Sequence, residues 1–478
     1  MKPFLDLLPD EVADWMVSHA GERRFAEGDV LIREGEVPAA IFMLLEGVLD
    51  ANSADGRRLA RLGPGSLVGE MSFADKAPAS ASVVAAEEAR TLALPRDALA
   101  AQLAADPAFA AGFYRALAAT ISGRLRAANA RLSAAAPGDQ GRPAPPDAAV
   151  QRTIEALDGW KALLLRLDKD ALKTGEVSEE GYGEFAALAI ELMRETHALL
   201  GTSSPLHDAL REQIGARMQR EVLPYVLATE SAERFYAKPR GYAGDYLAID
   251  MIYRNEPRGT GRIGPVVDRL FLDTPPSRAV RNRRALLAAE IVATVRGKGP
   301  GPARVTCLAS GPAREVFDAF AALADKRALA ATLLDIDLQA LAYVEQERTR
   351  QRLAAQVTLV NENLIALFLG RGRTVLEPQD LIYSIGVTDY LPDKLLVKLL
   401  NFCARSLAPG GRVIVGNFHP RNTAREFMDY VLEWNLIHRT EEDMNRLFEA
   451  SDFRRPCTRI TFEPEGVDLF AECVKESP

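Results

Sequence analysis

Along the first third of the chain the apolar positions come in short runs broken by glycine. Val30-Leu31-Ile32 and Ile41-Phe42-Met43-Leu44-Leu45 lie between turns at Gly28, Gly35, Gly47, Gly56, Gly63 and Gly65. Short strands at such close spacing predict a small barrel or jelly roll over 25–95. Helical patterns flank it at 9–19 and 96–132. From about 147 the period becomes helical. Leu157, Trp160, Leu163, Leu164 and Leu167 mark one amphipathic run, and further helices are expected over 182–200 and 207–227. From Arg304 onward short apolar runs alternate with helical stretches. Strands are expected at 305–308, 331–334, 357–360, 381–385, 412–416 and 469–474. That alternation predicts a parallel sheet covered by helices on both faces.

The chain therefore reads as multidomain: an N-terminal β-barrel or jelly roll with flanking helices over 1–134, a helical middle segment over 151–275, and a C-terminal α/β Rossmann-like domain over 276–478. Residues 135–150 read as a flexible linker, because Ala134-Ala135-Ala136-Pro137-Gly138 leads into Arg142-Pro143-Ala144-Pro145-Pro146. A length of 478 residues fits two or three hydrophobic cores. A net charge of −8 weighs against nucleic acid as a partner. Cys307, Cys403, Cys457 and Cys473 form no C-x-x-C pair, so a reducing compartment and no metal site are expected. With no signal-peptide pattern and no membrane-length apolar run, the expected location is the cytoplasm.

Three stretches carry candidate chemistry. The first is Val305 to Arg314, read as strand, small-residue turn and helix, with Ala309, Ser310 and Gly311 in the turn. Small residues there let a ligand approach the main chain. The second is the set of strand ends that follows. Asp335 at the tip of the second strand suits a grip on ribose hydroxyls, and Asp337 suits the cap of the next helix. Asn363 offers an amide to an adenine edge, and Leu381–Val387 ends beside the substrate position. The third is Phe235-Tyr236-Ala237-Lys238-Pro239-Arg240-Gly241-Tyr242-Ala243-Gly244-Asp245-Tyr246, whose aromatics can wall an apolar pocket while Arg240 fixes an anion. A well-packed loop explains that string equally well.

The turns of the N-terminal part resemble the cyclic-nucleotide-binding domain family. Glu27-Gly28-Asp29, Leu45-Glu46-Gly47, Leu62-Gly63-Pro64-Gly65 and Val68-Gly69-Glu70-Met71 carry the likeness. The family's cassette needs an arginine for the cyclic phosphate, and Ala79 stands at that place. The expectation is a barrel without cyclic-nucleotide binding. In the related transcription factors a following helix pairs two copies. Phe113, Leu117, Ile121 and Leu125 form such a stripe over 107–133, giving either a homodimer seam or packing on the same barrel.

The strand ends, together with Leu407-Ala408-Pro409-Gly410-Gly411, resemble the class I S-adenosylmethionine-dependent methyltransferases. The likeness implies S-adenosyl-L-methionine as cofactor, with Ala309, Ser310 and Gly311 along its methionine part, Asp335 on the ribose and Asn363 on the adenine. Ser384 and Gly386 would line the methyl side. Ala309 and Ala313 stand where the family has glycines, a change tolerable at negative φ. The Lys238–Tyr246 string upstream resembles the bacterial 3-hydroxypalmitic acid methyl ester biosynthesis protein family, which implies carboxyl O-methylation. Tyr236, Arg240, Tyr242, Tyr246 and Tyr390 are the expected contacts to a small-molecule methyl acceptor, and His419, after the fifth strand, and Tyr383, at the end of the fourth, are the candidate catalytic residues. A carboxylate acceptor needs no general base, whereas an amine needs one. N-methylation of a small amine and a non-catalytic cofactor sensor are the alternatives.

Overall fold

The computed structural model describes residues 3–476, leaving aside 54–55, 57, 76, 136–147, 202–203, 205, 207 and 241, and the side chains of 122–135, 148–150, 152 and 208–209. Residues 136–147 of the expected linker, Gly241 and the side chain of Leu125 lie outside the described residues, and the linker's two ends, at 135 and 148–150, are helical. The chain forms two compact units. One holds Met1–Ala243, Asn255–Thr274 and Thr423–Asn435; the other holds Gly244–Arg254, Pro275–Asn422 and Leu436–Pro478.

The first unit begins with a sandwich of two four-stranded sheets. One runs β1 (Gly21–Phe25), β8 (Ala89–Pro95), β3 (Ala40–Glu46), β6 (Leu67–Val68); the other runs β2 (Val30–Ile32), β7 (Ser82–Ala85), β4 (Leu49–Asn52), β5 (Arg58–Leu62). All pairings are antiparallel. The apolar run of β3 is buried on both faces, and Phe42 and Leu44 meet Leu49, Val83 and Ala93 in the core. Gly47 makes the next turn possible. It sits at φ +86°, and a Cβ there would lie 2.4 Å from the Glu88 carbonyl oxygen.

The helix Pro107–Ala135 follows the sandwich, and its apolar stripe faces inward. Phe113 is fully buried, with edge-on rings of Phe4 and Phe73 each 6.0 Å away, and Leu117 is 3% exposed. The first half of the stripe therefore packs within its own unit instead of offering a dimer seam. Helices Ala148–Thr174, Glu179–Leu200 and Asp208–Val226 complete this unit. Trp160 anchors them, 5.6 Å from the Phe185 ring and 5.2 Å from Tyr225.

The expected helical middle segment over 151–275 is not a separate body. Most of its helices fold with the sandwich, whereas Tyr246–Arg254 folds with the C-terminal sheet. In the other direction Thr423–Asn435 joins the first unit. Its Met428, Val431 and Trp434 are buried, and Trp434 lies 4.6 Å from the Phe235 ring.

The second unit is built on a seven-stranded sheet: β11 (Val357–Asn361), β10 (Leu329–Asp335), β9 (Ala303–Leu308), β12 (Gln379–Ser384), β13 (Leu407–Phe418), β15 (Asp468–Val474) and β14 (Arg459–Phe462). The first five are parallel. β15 runs antiparallel to β13, and β14, absent from the sequence reading, antiparallel to β15. The sheet is thus mixed rather than wholly parallel. Val305, Cys307, Leu333, Leu381 and Ile414 form its core with Phe317 and Phe320.

The strand order reverses between β9 and β12, which opens a crevice at their carboxyl ends. The Pro409-Gly410-Gly411 turn is a bulge inside β13. Gln379 pairs with Leu407 but Leu381 pairs with Arg412. Gly410 has φ +75°, and a Cβ on Gly411 would come within 2.5 Å of the Gln379 carbonyl oxygen. Among the described residues no helix is long and apolar enough to cross a membrane.

Candidate functional site

The turn after β9 is held open by backbone bonds. Ser310 N donates to the Leu334 carbonyl at 3.0 Å and Gly311 N to Asp335 Oδ2 at 2.9 Å. Asp335 Oδ1 accepts from Asp337 N at 2.9 Å, so the carboxylate joins the tips of β9 and β10. Asp337 caps the helix Leu338–Arg350 as expected, accepting from Gln339 N at 2.8 Å. Ala309 and Ala313 take φ +59° and +47°, not the negative values expected of alanines. The turn keeps a glycine-type backbone although its sequence has lost the glycines. Each left-handed alanine costs about 1 kcal/mol, and such strain gathers at binding sites. Ala309→Gly is expected to raise stability by about 0.5–1 kcal/mol, read as a higher midpoint in urea.

Two observations test whether this turn suits S-adenosyl-L-methionine. The Ser310 hydroxyl is buried without a hydrogen-bond partner, a state that costs about 1–3 kcal/mol unless something else completes it. Beside Gly311 a Cβ would meet nothing within 4 Å, so the backbone borders open space. The residues fit the cofactor's polar end.

Asn363 caps its helix, its Oδ1 accepting from Ala366 N at 3.1 Å. Ser384 is buried and donates to the Leu308 carbonyl at 3.1 Å, tying β12 to β9. Gly386, at φ +94°, leaves room for Arg283, whose guanidinium would be 3.4 Å from a Cβ there.

Arg283 is the charged group that sequence reasoning did not single out. It comes from the helix Pro275–Gly297 and is 6% exposed. Its Nη1 lies 3.4 Å from Asp468 Oδ2, with Asp389 also within its field. Burial pushes the Asp389 carboxyl up to about 6 and that of Asp468 up to about 7, against the pull of Arg283. Burial likewise raises Glu315, beside Tyr383, and pushes Tyr253 up to about 12. An arginine-rich helix gives no hint of which guanidinium turns inward.

The two expected catalytic residues hold other positions. Tyr383 is 1% exposed inside β12, and its hydroxyl donates to Glu315 Oε1 at 2.8 Å. It braces the first turn of the helix Arg314–Ala322. His419 is 5% exposed. Its Nδ1 accepts from Arg421 N at 3.1 Å, which leaves Nε2–H to donate to Glu441 at 2.9 Å. With both ring nitrogens engaged, His419 fixes the loop after β13 and has no lone pair for a general base.

The aromatic string is divided. Tyr236, Arg240 and Tyr242 fold with the first unit and Tyr246 with the second. Tyr246 opens the helix Tyr246–Arg254, its ring 5.4 Å from Tyr343. Asp250 of that helix is buried between Arg254 and Arg314, and Arg314 also donates to the Tyr343 hydroxyl at 3.2 Å. Arg314 is the first helical residue after the Ala309–Ala313 turn, so this network steadies the turn from its far side. Tyr390 is half-buried at the end of the 3-10 turn Thr388–Tyr390. That turn is clamped by Arg439, which donates to the carbonyls of Thr388 and Leu391.

In the sandwich, Glu70 is 3% exposed and opens the helix Glu70–Asp75. Ala79 exchanges backbone bonds of 2.8 Å with Gly35 and Glu36, and its methyl packs on the apolar core. No guanidinium reaches a phosphate from that position.

An antiparallel sandwich followed by a Rossmann-like sheet, with its crevice at the switch point, defines a two-module protein with one α/β cofactor fold. The known families agree. One described as "Cyclic nucleotide-binding domain" matches residues 22–106, and one described as "Putative methyltransferase" matches 226–463. The chain therefore carries a cyclic-nucleotide-binding domain and a methyltransferase domain. A 35%-identical relative is the cyclic AMP receptor protein of Thermus thermophilus, aligned over 133 residues. That alignment covers 27% of this chain, and this chain spans 59% of the receptor.

Among solved structures, a "possible exported protein" of Bordetella parapertussis is 20% identical with a TM-score of 0.44, covering 62% of this chain and 97% of that one. The N-methyltransferase NodS of Bradyrhizobium japonicum is 15% identical with a TM-score of 0.30, covering 41% and 96%. Superpositions this loose carry no argument; the domain assignment rests on the family matches and the sheet order.

Proposed function

We propose that the C-terminal domain is a methyltransferase that uses S-adenosyl-L-methionine to methylate a small molecule, with the N-terminal domain as its regulatory or dimerising module. The observation that carries this reading is the Asp335 carboxylate, seated at the tip of β10 and bonded to the Gly311 amide. Asp335 would hold the ribose, Ser310 and Gly311 the methionine end, and Gly386 would border the methyl side. The cofactor supplies an electrophilic methyl group. The chain's own residues supply orientation and exclusion of water. Calorimetric titration of the full chain with S-adenosyl-L-methionine tests the reading. Saturable one-site binding is expected, and its absence at millimolar cofactor would reject the assignment.

For the acceptor, a carboxylate would find Arg283 beside Gly386 as its counter-charge. A second reading, an amine acceptor, is favoured by the surplus of buried acids. Arg283 faces Asp389, Asp468 and Glu315, with Arg439 adding its pull on Asp389. A cationic acceptor would balance them, and an ionised Asp389 or Asp468 could take its proton.

The two acceptors separate by pH. The aspartates are neutral below about 6 and ionised above about 7. Amine methylation should therefore rise as pH climbs through that window, whereas carboxylate methylation should stay flat. Because both folded values are raised, the stability linked to these acids is full below about 4 and falls as pH climbs to about 7. A single-turnover pH profile with each acceptor class decides between them.

A further inference from the structure

The first unit contains a polar cleft lined entirely by its own residues, none of them from the Glu70–Ala79 cassette of the sandwich. It measures about 670 Å³ and is bordered by Arg24, Arg61 and Glu87 of the sandwich together with Tyr236, Lys238 and Glu433. That volume lies within the range of small-molecule sites.

Its deepest groups are charged. Lys238 is 5% exposed and ends the helix Ser231–Ala237 in a left-handed conformation, φ +45°. Its Nζ lies 3.5 Å from Glu87, well outside the 2.7–2.9 Å of a tight charge-assisted bond. A buried ammonium held so loosely has room for a second anionic partner. Glu433, at φ +52°, accepts from Gln219 Nε2 at 2.8 Å and pairs with Arg61, which also bonds Asp50 at 3.0 Å. Burial pushes the Glu87 carboxyl up to about 7, so it would gain from a cation close by.

Both signs of charge therefore line one small cleft. A phosphate-bearing nucleotide would meet Glu87 and Glu433 as well as Lys238, and repulsion would offset the attraction. A simple cation would meet Lys238 and Arg61. A ligand carrying one ammonium and one carboxylate satisfies both sets, and the Tyr236 hydroxyl adds a neutral donor and acceptor. We infer that this cleft binds a small zwitterion of the α-amino-acid kind. It would be a ligand site distinct from the methyltransferase centre and from the sandwich's own cassette.

Thermal unfolding of the full chain tests this with each of the twenty amino acids, glycine betaine and cyclic AMP, at about 10 mM to exceed a weak Kd. At least one zwitterion should raise the midpoint saturably by about 2–4 °C. Lys238→Met and Glu87→Gln should each weaken that ligand at least about tenfold, measured by calorimetry on the folded protein. Glu87→Gln is isosteric and keeps the test valid should Lys238→Met fail to fold. The inference is overturned if no zwitterion shifts the midpoint. It is equally overturned if both variants bind as well as the parent, or if cyclic AMP gives the shift that the variants abolish.

Discussion

Asp335→Ala is expected to lower affinity for S-adenosyl-L-methionine by about 100-fold, roughly 2.7 kcal/mol. The loss has two sources. The carboxylate that would accept the ribose hydroxyls is gone, and a charge-assisted pair of bonds exceeds a neutral one about twofold. The amides of Gly311 and Asp337 also lose the oxygens that hold them at 2.9 Å. The Ala309–Ala313 turn, already left-handed at both alanines, then has less to keep it in place. Calorimetry on the variant, with circular dichroism to show that the sheet is intact, makes the comparison. A dissociation constant within threefold of the parent's would mean that the cofactor sits elsewhere.

The second large effect is expected at Arg439, which is 2% exposed in the methyltransferase unit. Its guanidinium donates to the Thr388 carbonyl at 2.9 Å, to Asn417 Oδ1 at 2.8 Å and to the Leu391 carbonyl at 2.5 Å, and pairs with Asp393 at 2.9 Å. Arg439→Met keeps the volume of the stem but leaves Asn417 Oδ1 and the Leu391 carbonyl without a donor, and leaves the Thr388 carbonyl with the Leu391 amide alone. Asp393 is one-third exposed and can turn to water, so the cost comes chiefly from the uncharged acceptors. At about 1–3 kcal/mol for each orphaned group, with partial relaxation, the domain should lose about 3 kcal/mol. That corresponds to a midpoint about 10 °C lower by calorimetric scanning. A change under 2 °C would show that the 387–392 loop does not depend on this clamp.

The sequence made the strands of both domains legible because their periods differ so plainly. The glycine-broken runs of 25–95 and the strand–helix alternation after Arg304 leave little choice of element. It also located the β9 turn and the tip of β10, since strand ends are marked by composition. What it missed depends on direction rather than on type. Arg281, Arg283 and Arg284 look alike on a helix, and only packing turns Arg283 toward Gly386. His419 and Tyr383 are reactive residue types at suitable strand ends, yet their hydrogen-bond partners, Glu441 and Glu315, come from distant helices that no local pattern connects to them. β14 was overlooked because a four-residue edge strand carries almost no periodic signal. The Tyr236–Tyr246 string stands out in composition, but its division between two units follows from long-range packing.

The exchange of Thr423–Asn435 and Gly244–Arg254 between the units bears on how this protein can be cut and inherited. A fragment beginning at Pro275 would carry Trp434, Met428 and Val431 without the helices that cover them, presenting a sticky apolar strip to solvent. A fragment ending at Thr274 would lack that strip and would carry Tyr246–Arg254 without its own partners. Each unit thus draws segments from both halves of the chain. A crossover between genes at either seam yields two damaged halves, so evolution is expected to move the helical part and the methyltransferase sheet together.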